Sequence, residues 1–266
     1  MIVERTLDAL HAAMRRMTGL KLVSDIHERQ TFPGIYPPLD PKLRRRLTRI
    51  RDAGVLFIHI PKNAGMSVSS ILYGDQVFHP TIRYYQRVAN DIASGLPSFA
   101  IWRNPVERFV SAYCYARAGG APNAPVARAF RKSYGAFQSL DSALDHVAAA
   151  KSLYDVDHIF RPQFWYVADQ AGRIAVDNIC MIDDLDRAVA SDALPGLRDI
   201  SRLNRSKPIK IMPTRDQVDR LHSLYAIDFA IYESLQNGAL SKGLNKPRIA
   251  AARHDSLISA PPLTVR

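Results

Sequence analysis

Cysteine is scarce in this chain: Cys114 and Cys180 are the only two in 266 residues. Two thiols cannot build a disulfide framework or a cysteine-rich metal cluster. Cys114 lies inside a helical pattern and reads as a half-buried free thiol. Long apolar runs are also missing. None approaches the roughly 18 residues that would cross a bilayer, and the opening stretch MIVERTLDALHAAMRRMTGLKLV carries charge throughout, unlike a secretory leader. No Gly/Ser-rich or Pro-rich linker splits the middle of the chain and no internal repeat is visible, which favours one domain over two. Acidic residues are the third shortage. Against 36 Lys and Arg stand 25 Asp and Glu, a formal net charge of +11, so the surface attracts anions. No zinc-finger, basic-zipper or RNA-binding signature accompanies the charge, and nucleic acid is not expected as a partner.

What is present is the apolar content of an ordinary globular protein, 47%. Residues 1–30 read as a helix and 31–41 (TFPGIYPPLDP) as an irregular connector. Next comes the densest basic stretch, Lys42 to Arg51, with Leu43, Leu47 and Ile50 at helical spacing. Two readings of it stay open: a solvated helix face, or a surface that draws in an anionic substrate or membrane. Val55–Ile60 is an unbroken apolar run of the kind buried in parallel sheets. Ser98–Trp102 and Asn178–Ile182 are two more strands, and helices are expected from residue 66, over Ser139–Ala150 and over Gln217–Leu235. After Trp102 the helix signals are explicit: Asn104 as cap, Pro105 at the first position, Glu107 to complete a capping box. Val106, Phe109, Val110 and Tyr113 supply its buried stripe. The expected architecture is α/β, a single domain with a mainly parallel central sheet flanked by helices. Residues 1–53 would hold the N-terminal helix, connector and basic segment, 54–245 the main domain, and 246–266 a loose tail.

Chemistry concentrates where two strands give way to helices. In Phe57 to Ser67, FIHIPKNAGMS, a strand stops at Pro61, and Lys62, small residues and a helix follow. A Walker loop, G-x-x-x-x-G-K-S/T, would carry its lysine at the far end. Here the backbone N–H groups of Asn63, Ala64, Gly65, Met66 and Ser67 sit at a helix N-terminus, a natural anion site. The second stretch, AIWRNPVERFVSAY, again runs strand, turn, helix, with Arg103 at the strand's end. Parallel strands end on one edge of their sheet, where ligands bind. Two anion sites facing one crevice imply a ligand with two separate phosphate groups.

The first stretch resembles the 5′-phosphosulfate loop of sulfotransferases that use 3′-phosphoadenosine 5′-phosphosulfate (PAPS), particularly the Golgi-type carbohydrate branch, sulfotransferase family 2, whose loop usually reads I-P-K-T-A-G-T-S. The second is similar to that family's 3′-phosphate motif, R-D/N-P-x-x-R-x-x-S-x-Y. Three weaker pieces agree in order over about residues 54 to 235: His158 to Gln163 with H-F-x-P-Q, Leu203 to Ser206 with N-x-S, and Leu224 to Phe229 with Y-x-x-D-F. Asn63 and Met66 replace threonines, which keeps backbone donors and removes side-chain ones.

The resemblance implies a P-loop-like PAPS-binding fold, PAPS as donor and PAP as product. Lys62 would meet charge developing on the leaving oxygen, Arg103 would grip the 3′-phosphate with its fork, and Ser111 would add a hydroxyl. No metal is implied, because no triphosphate charge has to be neutralised. The acceptor hydroxyl needs a base. His79, between the two motifs, is the candidate, and His158 is the rival. His158, Arg161, Gln163, Asn204 and Ser206 are the candidate cleft or acceptor residues. His59 reads as a satisfied core residue, Glu107 and Arg108 as capping and pairing within their helix, and Trp165 and Tyr166 as core packing or as stacking on adenine or sugar. The expected function is sulfuryl transfer from PAPS to a hydroxyl of a carbohydrate or glycolipid, by a bacterial, cytoplasmic protein, with peripheral attachment to a membrane left open. Two alternatives remain: a non-catalytic binder of anionic polysaccharide or membrane, and an atypical nucleotide kinase. The kinase reading lacks a Walker lysine and a magnesium carboxylate.

Overall fold

Three strands place everything that follows: β1 (Leu56–Ile58), β2 (Ser98–Trp102) and, after a two-residue hairpin of β3 (Gly120–Ala121) and β4 (Ala124–Pro125), β5 (Asn178–Met181). The computed structural model describes residues 13, 16–17, 19–28, 39, 41–121, 124–198 and 211–238. β1, β2 and β5 form one parallel sheet in the order β1-β2-β5, with Ile58 opposite Ala100 and Trp102 opposite Met181. β1 and β2 are buried at every position, as expected for parallel strands covered on both faces. The molecule is thus mixed α/β, a small three-stranded parallel sheet flanked by helices.

Two apolar clusters hold the sheet in place. The larger gathers β1 and β2, the inner faces of helices Pro41–Ala53, Gly65–Tyr73 and Ile82–Val88, and Phe164 to Ala168. Phe57 and Phe99 meet there with ring centroids 5.1 Å apart, each side chain stabilising by about 1.5–3 kcal/mol through burial. The second lies beneath helix Pro105–Arg117, where Phe109, Tyr134 and Phe160 pack with Tyr225. Phe160 belongs to one cluster and Phe164 to the other, so Arg161 to Gln163 runs between them.

Several elements differ from their sequence expectation. Residues 1–30 are not one helix, since Gly19 to Leu22 are non-helical and the described helix is Val23–Glu28. The basic segment is the helix Pro41–Ala53, with Leu47 and Ile50 buried. The polar, aromatic stretch after Phe78 forms two short helices, Ile82–Val88 and Asn90–Gly95. The first is capped by Thr81, whose Oγ1 accepts from Tyr84 N. The closing helix is two helices, Arg215–Leu224 and Ala226–Gln236, broken at Tyr225. Asn104 does cap Pro105–Arg117, but Glu107 turns to Arg103 at 3.2 Å instead of completing a capping box. Among the described residues no helix is long and apolar enough to cross a membrane. The C-terminal tail lies outside the described residues.

Candidate functional site

The turn after β1 is coiled so that its amides stay free. Lys62 (φ 72°) and Ala64 (φ 59°) both adopt left-handed backbone, a strain of order 1 kcal/mol each for residues with a side chain. Gly65 is required by packing: a Cβ there would lie 1.8 Å from His59 Cδ2. Among the described residues the N–H groups of Asn63, Ala64, Gly65 and Met66 meet no acceptor. They open the nine-residue helix Gly65–Tyr73, so its dipole and its unsatisfied donors converge.

Cations surround this turn. Lys62 Nζ lies 4.1 Å from the centroid of the Tyr115 ring. Burial, then the nearby charges of Arg103 and Arg108, lower its pKa to about 8, so it remains mostly protonated at neutral pH. Arg103, at the end of β2, donates from Nη1 to Lys62 O at 3.3 Å and pairs with Glu107. Arg108 does not pair within its helix as expected. It is 2% exposed, donates from Nε to Pro61 O at 3.1 Å, and its Nη2 has no partner among the described residues. A buried guanidinium that grips the carbonyl before Lys62 both positions the loop and leaves positive charge incompletely matched.

Gln163 ties the two turns together. Its Oε1 accepts from Asn63 Nδ2 at 2.7 Å and from Arg103 N at 3.0 Å, while its Nε2 donates to Arg103 O. Its own amide, with that of Phe164, donates to the Asp228 carboxylate. Asp228 is fully buried, and burial raises its pKa to about 6. Asn63 also donates to Ile101 O, so its side chain points into the protein, and the residue is not part of the wall of the cleft over the first turn.

A cleft of about 440 Å³ opens over the first turn. Lys62, Ala64, Gly65, Met66 and Ser67 form part of its wall, and His79 and Ser111 line it as well. The sequence-expected loop, base and helix serine therefore meet in one place. Arg103 lies beside the cleft. His79 Nδ1 donates to His59 O at 3.2 Å, which leaves Nε2 unprotonated in the neutral ring. Burial, then the neighbouring His59 and His158, holds its pKa well below 6.5. The ring centroids of His59 and His158 lie 4.2 and 5.6 Å from that of His79. His59 Nδ1 donates to Val77 O, and burial lowers its pKa to about 4. His158 Nε2 lies 2.9 Å from Ser24 Oγ, its Nδ1 is buried without a partner among the described residues, and its ring is not part of the cleft wall. Among the described residues no group of three His, Cys, Asp or Glu is arranged to hold a metal.

Other expected cleft residues lie elsewhere. Arg161 is fully buried, its two Nη atoms each 2.7 Å from an oxygen of Asp25, so it is a structural ion pair and not a cleft residue. Asn204 and Ser206 fall outside the described residues. Tyr166 is buried, with its hydroxyl on His158 O. Trp165 stacks beneath Arg83 in a separate cavity of about 260 Å³. Sequence reading missed three contributors: Arg108, His59 as a cleft wall, and Tyr115. The first was visible as the second arginine of its motif, but its target, Pro61 O, lies 47 residues away in the chain. Comparison with protein-family models, curated proteins and solved structures finds no match to the chain.

Proposed function

We propose that the protein is a PAPS-dependent O-sulfotransferase with a P-loop-like sulfotransferase fold, moving a sulfuryl group to a hydroxyl of a carbohydrate or glycolipid. One observation carries the reading. Two strand-to-helix turns, each with a basic residue, end on the same edge of a parallel sheet and are tied by Gln163. A ligand with two separated anionic groups on one scaffold suits that pair of turns. The residues present fit a phosphosulfate at the first turn: free amides from Asn63 to Met66, the Ser67 hydroxyl, the Lys62 charge, and Arg108 with an unmatched donor behind them.

Bound PAPS would supply an activated sulfuryl group on a phosphate leaving group. Lys62, desolvated and still cationic, presents charge where negative charge develops, the kind of preorganised contribution worth several kcal/mol. His79, held neutral with its proton on Nδ1, takes the acceptor's hydroxyl proton on Nε2. Arg103 and Ser111 hold the second anionic group. Arg103 would exchange Glu107 for it, at little cost because Glu107 is 59% exposed.

The test is transfer from radiolabelled PAPS to a panel of carbohydrate and glycolipid hydroxyls. Label on an acceptor with wild type, and not with Lys62→Ala, supports the reading. Binding of PAPS without transfer or hydrolysis across the panel would favour a non-catalytic anion binder.

A further inference from the structure

The second cavity, of about 260 Å³, shares none of its described lining residues with the cleft. One wall is the break between the two closing helices, where every residue from Ser223 to Asp228 lines it. Another is the half-buried indole of Trp165, held from two directions. The Arg83 guanidinium lies 4.0 Å from its ring centroid, and the Tyr154 ring meets it edge-on at 5.6 Å. Leu153 and Phe164 add apolar surface.

The unmatched polar features of these walls are donors. Ala226, Ile227 and Asp228 open the helix Ala226–Gln236, whose cap Tyr225 makes no side-chain bond to it. Their N–H groups meet no acceptor among the described residues. Trp165 Nε1 is likewise buried without a partner among them. The charged side chains, by contrast, are matched. Arg83 donates to Glu28 at 2.9 Å and to Ala168 O at 2.8 Å, and Asp169 pairs with Arg173. The Asp228 carboxylate accepts the amides of Gln163 and Phe164.

We infer that this cavity is a binding site for a small, uncharged, planar aromatic compound that carries a hydrogen-bond acceptor, a carbonyl or ether oxygen. The ring would lie against Trp165, and the oxygen would take the amides at the helix break. That oxygen is neutral because the Asp228 carboxylate already occupies the first turn of the same helix and would repel a second negative charge. A cation would find no unpaired acid on the described walls. The volume lies near the lower end of small-molecule sites, roughly 300 Å³, and suits a compound of one or two rings. Because the cavity is separate from the cleft, its ligand is independent of the sulfotransferase reading.

The experiment labels the full chain with 5-fluorotryptophan. Trp102 and Trp165 are its two tryptophans and give two fluorine resonances, assigned with Trp165→Phe. The titrants are coumarin, naphthalene as a ring system without an acceptor, coumarin-3-carboxylate as the charged analogue, and 1-octanol as a flexible chain. Coumarin should move the Trp165 resonance saturably and bind about tenfold more tightly than each of the others, the scale of one buried hydrogen bond or one misplaced charge. Ala226 is exposed, so Ala226→Phe extends over the cavity without entering the core. It should weaken coumarin by about tenfold and leave the melting temperature of the free protein unaltered. PAP should not displace coumarin. No saturable movement of Trp165, naphthalene or octanol binding as tightly as coumarin, preference for the carboxylate, displacement by PAP, or unaltered affinity in Ala226→Phe would each overturn the assignment. Should Ala226→Phe not fold, the comparison of the four titrants on wild type decides.

Discussion

Lys62 and His79 share one cleft but are tuned by different surroundings, so their loss should be separable. Lys62→Ala removes charge from the first turn and should slow turnover with a lesser loss of PAPS binding. His79→Ala removes the proposed base while leaving the loop intact, and should cut turnover by about a hundredfold with PAP affinity kept. Because burial holds the His79 pKa well below 6.5, the acid limb of the wild-type rate profile should lie below pH 6.5 and vanish in the variant. Should His158→Ala lose that limb while His79→Ala keeps it, the base is His158. Gly65→Ala makes a third, steric test: its Cβ would overlap His59, so it should disturb the loop and the histidines together and abolish PAP binding. At this scale local pattern placed Lys62 after the strand and the resemblance placed Ser111 along the helix, and both line the cleft. In the sequence Arg108 reads as pairing within its helix and His59 as a satisfied core residue, whereas their contacts with Pro61 O, Val77 O and Gly65 are made only on folding.

Among the elements, the N-terminal helix Val23–Glu28 is fastened to the main body by charge. Asp25 and Arg161 are both fully buried and joined by two 2.7 Å contacts, and Glu28 pairs with Arg83 at 2.9 Å. Asp25→Ala leaves a buried guanidinium unpaired and should cost about 3–5 kcal/mol in denaturant unfolding. A loss below about 1 kcal/mol would mean that this helix does not hold as described. Strands were legible because unbroken apolar runs such as SFAIW have few alternatives, and the Asn104-Pro105 helix start was legible because its cap is local. The break at Tyr225 was not. Val218, Leu221, Tyr225 and Phe229 keep helical spacing through it, and the interruption comes with a distant contact, the Tyr225 hydroxyl on Phe160 O. The helices at 82–95 were hidden by polar and aromatic residues that bury on folding, Tyr84 and Tyr85 among them.

For the whole molecule, three histidines in ring contact, His59 buried and His79 and His158 half-buried, impose a pH dependence. His59, His79 and His158 all have pKa values pushed down by burial. Below pH 6.5 the unfolded chain binds protons that the folded cluster refuses, so each contributes a loss of stability as pH falls. Buried Asp157 and Asp228, whose pKa values burial raises, act in the opposite sense, so the cluster is read from a difference. Relative to wild type, His79→Gln should gain stability as pH falls through 6.5, because the folded-state pKa of His79 lies well below the ordinary imidazole value. A gap that stays constant with pH would show that His79 protonates equally in both states.

The claim at the centre of this account is that the two turns at one sheet edge hold a nucleotide by its 5′ and 3′ anionic groups. Thermal unfolding of the full chain in magnesium-free buffer with PAP, AMP or ATP tests it most directly, since a ligand that binds only the folded state raises the melting temperature. PAP should give a clear upward shift and AMP, without the 3′-phosphate, much less. Arg103→Ala should erase the difference between them while Glu107→Gln, which frees Arg103 from its 3.2 Å partner, should widen it. Equal shifts from PAP, AMP and ATP, unaltered by Arg103→Ala, would contradict the two-site reading.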